Sequence, residues 1–412
     1  MQLTPKTQRK MALAVTALLG VNAAKQVHAE ESEWQFDSSV FSYMESDNRV
    51  TDLSVRLEAQ RTTESEKIFA LGLSVDSLSG ASPNGAIATH TPQTVTSPSG
   101  NSQVYASELP MNRFYDRRFA GQVSYRLPVG ALSRLTTGLT FSQEDDYQHA
   151  GLNLSFARDF FQRNTTLNAG VAFSSDSVKP VDGIPNALSN VDLGQKRSTN
   201  EDKAVTDLLL GVNQVLSPKA LLQLNYGYSD ASGYLNDPYK LISQVNGLGT
   251  VESNIYENRP EARLGHNLYG ALKLDNRGDV TTLSYRFHTD DWGIDSNTFD
   301  LRYRFGLGGS QHYIEPHVRY YAQSAADFYR LQLTPIDNVP AHVSADYRLA
   351  AFSAITLGFR YGISGPWGSD WRLNFDYYTQ NPSDNRSEFA DQQGLNLNPG
   401  VSAIILSLGA RF

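Results

Sequence analysis

The chain has 412 residues and no cysteine. Without thiols there are no disulfides, no thiolate metal centres and no haem attached through Cys. Such a chain also crosses an oxidising periplasm unfolded without mispairing. Beyond its first few tens of residues it lacks any apolar run long enough for a membrane-spanning helix, and its mean hydropathy is −0.39. It lacks a surplus of positive charge: 35 Lys and Arg stand against 43 Asp and Glu, which argues against nucleic acid as a partner. Sustained helical periodicity and the Gly-x-Ser-x-Gly elbow of serine hydrolases are absent too. These absences set aside helical membrane proteins, thiol chemistry and nucleic-acid binding.

What is present is clearest at the end, in Val401-Ser-Ala-Ile-Ile-Leu-Ser-Leu-Gly-Ala-Arg-Phe412. Steps of two back from Phe412 reach Ala410, Leu408, Leu406 and Ile404. A two-residue period is a strand with one apolar face. An aromatic residue closing such a strand resembles the signal read by the barrel-insertion machinery of bacterial outer membranes, so Phe412 is the expected contact with that machinery. The opposite end reads as a secretory leader: Lys6, Arg9 and Lys10, then the short apolar run from Met11 to Val21, then a cleavage site at Val27-His28-Ala29. Ala at the cut, rather than Cys, excludes a lipoprotein. Residues 1–29 are thus expected to be removed, and loss of Lys6, Arg9, Lys10 and Lys25 takes the formal charge from −8 to −12.

From Trp34 one device repeats: about ten residues of alternating polarity, then a turn or loop. Leu53, Val55, Leu57 and Ala59 show it, as do Phe119, Gly121, Val123 and Tyr125, and Phe299, Leu301, Tyr303 and Phe305. The expectation is an all-β, transmembrane, antiparallel up-and-down β-barrel filling 30–412, without a second domain. An open sheet edge has no place in lipid, so the sheet must close. With 21 Tyr, 19 Phe and 4 Trp, the composition suits interfacial girdles against membrane lipid and lipopolysaccharide. Short connections near 62–65, 128–131, 217–218, 275–278 and 308–309 should face the periplasm with both termini. Long ones near 79–116, 176–203, 230–260 and 381–401 should face outward. The strand number is then even, 16 to 18. Reading Phe328-Tyr-Arg-Leu-Gln-Leu333 as a short strand favours 18.

If the apolar positions face lipid, their neighbours line the lumen. In the later strands these are Arg286, His288, Asp300, Arg302, Arg304, Glu315, His317, Arg319, Asp346, Arg348, Arg360, Arg372 and Asp376. Arginine outnumbers carboxylate there, and rings of Arg favour anions in pores. The competing reading is that Arg and carboxylates on neighbouring strands pair and simply fill the barrel. Asp237, Arg259 and Arg263 could lock the 230–260 loop into the lumen as a constriction.

Other motifs carry less. His312 and His317 are five apart, which on a strand puts them on opposite faces, so they do not make a metal pair. Glu144-Asp145-Asp146 reads as a solvated acidic tip. His149, His266 and His288 are isolated, and no nucleophile, base and orienting group converge in the pattern. No catalytic residue, cofactor site or metal site is expected.

Five stretches resemble a widespread family of uncharacterised Gram-negative outer-membrane proteins of about this length. They are Asp76-Ser-Leu-Ser-Gly-Ala-Ser-Pro83, Leu235-Asn-Asp-Pro-Tyr-Lys240, Glu257-Asn-Arg-Pro-Glu-Ala-Arg263, Arg319-Tyr-Tyr-Ala-Gln-Ser-Ala-Ala-Asp-Phe-Tyr329 and Ser344-Ala-Asp-Tyr-Arg-Leu349. The resemblance implies a barrel of unknown function, often encoded beside a periplasmic flavin transferase, a small lipoprotein and a thioredoxin-like protein. Two functions follow as expectations: a porin-like channel with an Arg-rich lumen, or the sheath of an envelope redox assembly that includes a small lipoprotein.

Overall fold

A strand with one apolar face buries nothing by pairing at its edges, so its ladder must continue until the sheet meets itself. The computed structural model describes residues 34–96, 102–308, 311–365, 368–383 and 389–412. The expected leader, and Asp384, Glu388 and Gly309 of the expected loops, lie outside the described residues.

Among the described residues, sixteen antiparallel strands close into one barrel. They are β1 (Trp34–Glu45), β2 (Val50–Thr62), β3 (Ile68–Pro83), β4 (Met111–Pro128), β5 (Ser133–Gln143), β6 (Tyr147–Phe160), β7 (Thr165–Val178) and β8 (Glu201–Ser217). The second half is β9 (Ala220–Gly233), β10 (Ala262–Asn276), β11 (Asp279–Asp290), β12 (Asp295–Gly306), β13 (His312–Gln323), β14 (Phe352–Ser364), β15 (Asp370–Pro382) and β16 (Val401–Arg411). Each strand pairs with its neighbours in sequence, and β1 pairs with β16 from Asp37↔Arg411 to Glu45↔Ala403. The seam finishes on two backbone bonds, Phe36 N–H to Phe412 C=O at 3.0 Å and Phe412 N–H to Phe36 C=O at 2.9 Å.

The strand number corrects the favoured 18. Phe328 to Leu333 alternates because it packs into a cluster of loops, not because it faces lipid. Phe328 is 8% exposed and Leu333 2%, and the segment makes isolated bridges, Tyr329↔Ser344 and Gln244↔Leu333, instead of a ladder. The chain therefore runs from β13 to β14 through one long loop.

Every long connection leaves the same end of the barrel: 84–110, 179–200, 234–261, 324–351 and 383–400. The opposite end has Trp34, the first described residue, the C-terminal Phe412 and, among the described residues, only short turns. Two of them are two residues long, and in one, Arg277–Gly278, both residues have positive φ (62° and 102°), a twist that suits a two-residue hairpin. Outward side chains form an apolar band. Phe36, Phe69, Tyr125 and Tyr303 stand near the termini end, Phe119, Phe141, Phe173, Phe299 and Tyr320 nearer the loop end, and Leu71, Leu154, Leu208, Leu301 and Leu357 between them, all exposed. Two aromatic girdles around an aliphatic belt are the surface that a bilayer requires.

Phe412 is central to closure: besides its two seam bonds, its ring packs edge-on against Trp371 with centroids 5.9 Å apart. Deleting Phe412 is expected to lower the fraction of compact, heat-modifiable barrel on unheated detergent gels. An unchanged fraction would show that the seam closes without it.

Candidate functional site

The five long loops converge over the mouth of the barrel. At their centre is the hairpin Leu241–Val245 with Val251–Tyr256. Loop 84–110, rooted six strands away, reaches it through Leu241 N–H to Asn84 C=O at 2.8 Å and Ile87 N–H to Ser243 Oγ at 3.1 Å. The approach is so close that a Cβ on Gly85 (φ +96°) would stand 2.2 Å from Leu241 O, so only glycine fits there. Loop 324–351 joins through reciprocal bonds between Val343 and Asn258 at 2.7 and 2.9 Å. Loop 383–400 joins where Asp391 N–H meets Leu248 C=O at 3.1 Å. Three apolar clusters knit this cap: Ile87, Val245 and Leu397; Ile242, Ile255 and Val343; Trp292, Phe328 and Leu349.

A buried ionic hub ties two of the loops together. Arg259 bridges Glu257 (Nε to Oε1, 2.7 Å) and Asp346 (Nη2 to Oδ2, 2.8 Å). Arg348 reaches Asp346 at 2.6 Å and Asp237 at 2.7 Å. The Asp237 N–H donates to Glu257 at 2.6 Å, and the Ser344 hydroxyl donates to the same carboxylate. Lys240 donates to the Pro83 carbonyl and lies 5.4 Å from the Tyr347 ring centroid. On the other side, Arg49 from the β1–β2 turn stacks over Tyr347 at 5.5 Å while pairing with Glu45 of the barrel rim at 3.3 Å. The hub holds three cations, Lys240, Arg259 and Arg348, and three carboxylates, Asp237, Glu257 and Asp346. Burial opposes ionisation of Asp346, but Lys240, Arg348 and Arg259 hold its carboxyl well below the usual range. Burial lowers Lys240 and raises Glu257, the latter against the pull of Arg259.

These placements revise part of the sequence reading. Asp346 and Arg348 are not on a barrel strand lining the lumen. They flank Tyr347 on a single 3-10 turn within the cap, because their alternation with Ala345 and Leu349 serves loop packing. Asp237 and Arg259 do meet in the hub. Arg263 does not join them: it stands on β10, pairs with Asp290 at 2.5 Å and stacks on Trp292 at 4.6 Å. Lys240, Glu257 and Ser344, which stand at the ends of three of the stretches shared with the family, carried no expected role in the sequence, and Arg49 stood out by no motif. The available signal was loop charges set among apolar residues such as Leu235, Ile242, Ile255 and Val343, an unusual mixture for a solvated loop.

The remaining lumen positions lie on the inward face of β11 to β15. His317 sits between Asp300 (2.7 Å) and Asp376 (3.1 Å). Arg302 and Arg360 share Glu315 at 3.7 and 3.3 Å. Arg372 and Arg411 share Asp37 at 2.6 and 3.1 Å. His288 bonds Asn267 at 3.1 Å and Asp290 at 3.2 Å. Arg304 rests on the Tyr313 ring at 3.6 Å and Arg286 on Tyr269 at 5.9 Å. Among the described residues, Arg286, Arg304 and Arg319 take part in no ion pair. Pairing thus neutralises part of the arginine wall and leaves a positive remainder. His312 points outward to Tyr361 at 2.7 Å, on the face opposite His317.

At the loop end Asp116, Glu144 and Asp146 bring carboxylate oxygens within 4.8 Å of one another. Burial, and then Asp116, push the Glu144 carboxyl up to about 7.

Residues 8–412 match the family described as "Protein of unknown function (DUF3570)". No curated protein matches the chain. Among solved structures, a mutant of the ferric enterobactin receptor PfeA from Pseudomonas aeruginosa is similar at 11% identity and a TM-score of 0.44, over 89% of this chain and 57% of the receptor. CdiB from Acinetobacter baumannii is similar at 10% identity and a TM-score of 0.45, over 91% of this chain and 60% of its own. A TodX mutant, a monoaromatic hydrocarbon channel, is similar at 10% identity and a TM-score of 0.40, over 93% and 90%. This chain spans less than two thirds of the length of the first two.

Two outcomes test this geometry. Asp346→Asn removes the buried carboxylate that Arg259 and Arg348 share, a loss of about 3–5 kcal/mol because the largely buried Arg259 loses a partner. Proteolysis within 234–261 and 324–351 should then quicken by about a hundredfold or more while the barrel stays heat-modifiable; equal cleavage rates would show that the hub does not hold the loops. Glu144 is raised from its ordinary 4.5, so its contribution to stability is complete below 4.5 and lost as pH rises through about 7. Glu144→Gln should therefore melt above the native protein at pH 8 and level with it at pH 4.

Proposed function

We infer that this chain, which belongs to the DUF3570 family, is an integral outer-membrane β-barrel that passes small solutes and prefers anions. One observation carries the reading: the two faces of a single wall are opposite in kind. The outward face is aliphatic between aromatic girdles, which suits hydrocarbon bounded by two interfaces. The inward face carries arginines, of which Arg286, Arg304 and Arg319 stand outside the ion pairs found among the described residues, and cationic walls favour anions. Phospholipid and lipopolysaccharide are its surroundings, residues 1–29 its export signal, and Phe412 its contact with the insertion machinery. The barrel is a passage and not a catalyst.

The hub and the apolar clusters tie loops to one another across the mouth, so passage by that end requires the loops to shift. The same cap favours a second reading, a sheath closed on its own that acts with a small lipoprotein or an electron carrier of the envelope.

Planar-bilayer recording in a salt gradient separates them. The native barrel is expected to open rarely, and Asp346→Asn to open often, with a reversal potential of anion sign. Replacing Arg286, Arg304 and Arg319 by Gln should move that potential toward zero. A loosened cap without conductance, or conductance without anion preference, overturns the channel. A silent barrel that copurifies with a small lipoprotein supports the sheath.

A further inference from the structure

The outer wall is not uniform. Across β6 to β11 it sinks into a groove of about 850 Å³ with almost wholly apolar walls. Its floor is low because Ala169, Val212 and Gly270 are small, and its flanks are high because Phe156, Tyr226 and Tyr285 are large. All six alternate outward in register, so the groove opens to the side and not into the lumen. Its volume falls in the range of roughly 300–1,000 Å³ that holds one organic ligand.

The groove also has a polar end. Arg158 lines it two residues before β6 ends, toward the termini side of the barrel. Arg158 is exposed and lies 5.3 Å over the Phe160 ring. Among the described residues no carboxylate pairs with it, unlike Arg134 nearby on the inner face, which bonds Asp159 at 2.9 Å. At the interface an outward arginine costs little, and lipid phosphate oxygens are the anions within its reach there. An apolar trough ending in one unpaired guanidinium at the interface matches a molecule with acyl chains and a phosphate.

Resting on the membrane reading above, we propose that this groove binds one glycerophospholipid of the leaflet on the termini side, its acyl chains on Ala169, Val212 and Gly270 and its phosphate on Arg158. The guanidinium donates to phosphate oxygens, and the aromatic flanks hold the chains between the girdles.

The test uses the full-length barrel in detergent micelles doped with phosphatidylglycerol or phosphatidylethanolamine and read by native mass spectrometry. Both lipids carry the phosphate, so both should bind, one per barrel. Arg158→Gln should weaken retention about tenfold, the equivalent of one charge-assisted hydrogen bond. Ala169→Phe fills the floor and should abolish retention. Gly270→Val is a milder filling, since a Cβ there meets only Leu224 at 3.4 Å. Val318→Ala, on the outward face of β13, should bind as the native protein does. Heat-modifiability confirms that each variant folds. Equal retention by all variants, retention of neither lipid, or a dimer lost on Ala169→Phe in place of bound lipid overturns the proposal. Recovery of the native protein in the soluble fraction sinks the membrane reading instead, so the two failures are distinct.

Discussion

Inside hydrocarbon no water reaches the backbone, and every N–H and C=O of a crossing strand must find its partner in another strand. The rest of this molecule follows from that demand. It forbids an edge, so β1 must meet β16, and the paired bonds between Phe36 and Phe412 complete the ladder. With the start of β1 and the end of β16 on one rim, an even number of crossings follows and the longer loops collect on the other. A wall one strand thick also has no interior of its own. The largest fully buried side chains, Ile87, Ile184, Ile242, Leu333 and Val343 among them, all belong to loops. The hydrophobic core of this protein sits in its cap.

That location explains the ionic hub. Loops rooted far apart around the rim must be held to one another, and apolar contact is non-directional. Charges taken out of water repay their desolvation only when each is met by an opposite charge in good geometry. Here Arg259 and Arg348 meet Asp237, Glu257 and Asp346, Lys240 donates to the Pro83 carbonyl, and Ser344 and the Asp237 amide donate to Glu257. Such a set is complete or costly, with little between. It couples the 234–261 and 324–351 loops into one unit, and through Arg49 and Tyr347 that unit grips the barrel rim.

Below the cap the same residue types do different work. The inward arginines are long and partly exposed, and pairs such as Arg360 with Glu315 contribute little to stability. A hub centred on the buried Glu257 and Asp346 ties loops together, whereas the partly exposed pairs of the inward face line the barrel.

Much of this architecture was legible in the chain itself. Period two is a local property: Leu53, Val55 and Leu57 declare their face without reference to anything distant, and barrel, topology and outward positions all follow from it. The segment 328–333 misled for the same reason, since alternation reports that one face is apolar and not what covers it. Only the tertiary structure set the count at sixteen, moved Asp346 and Arg348 from wall to cap, and joined Arg259 to Asp346 across 87 residues and Asp237 to Arg348 across 111. Contacts between loops depend on where the closed sheet roots them, and no spacing along the chain encodes that distance. Strand faces are written locally; the cap exists only because closure of the barrel brings its loops together.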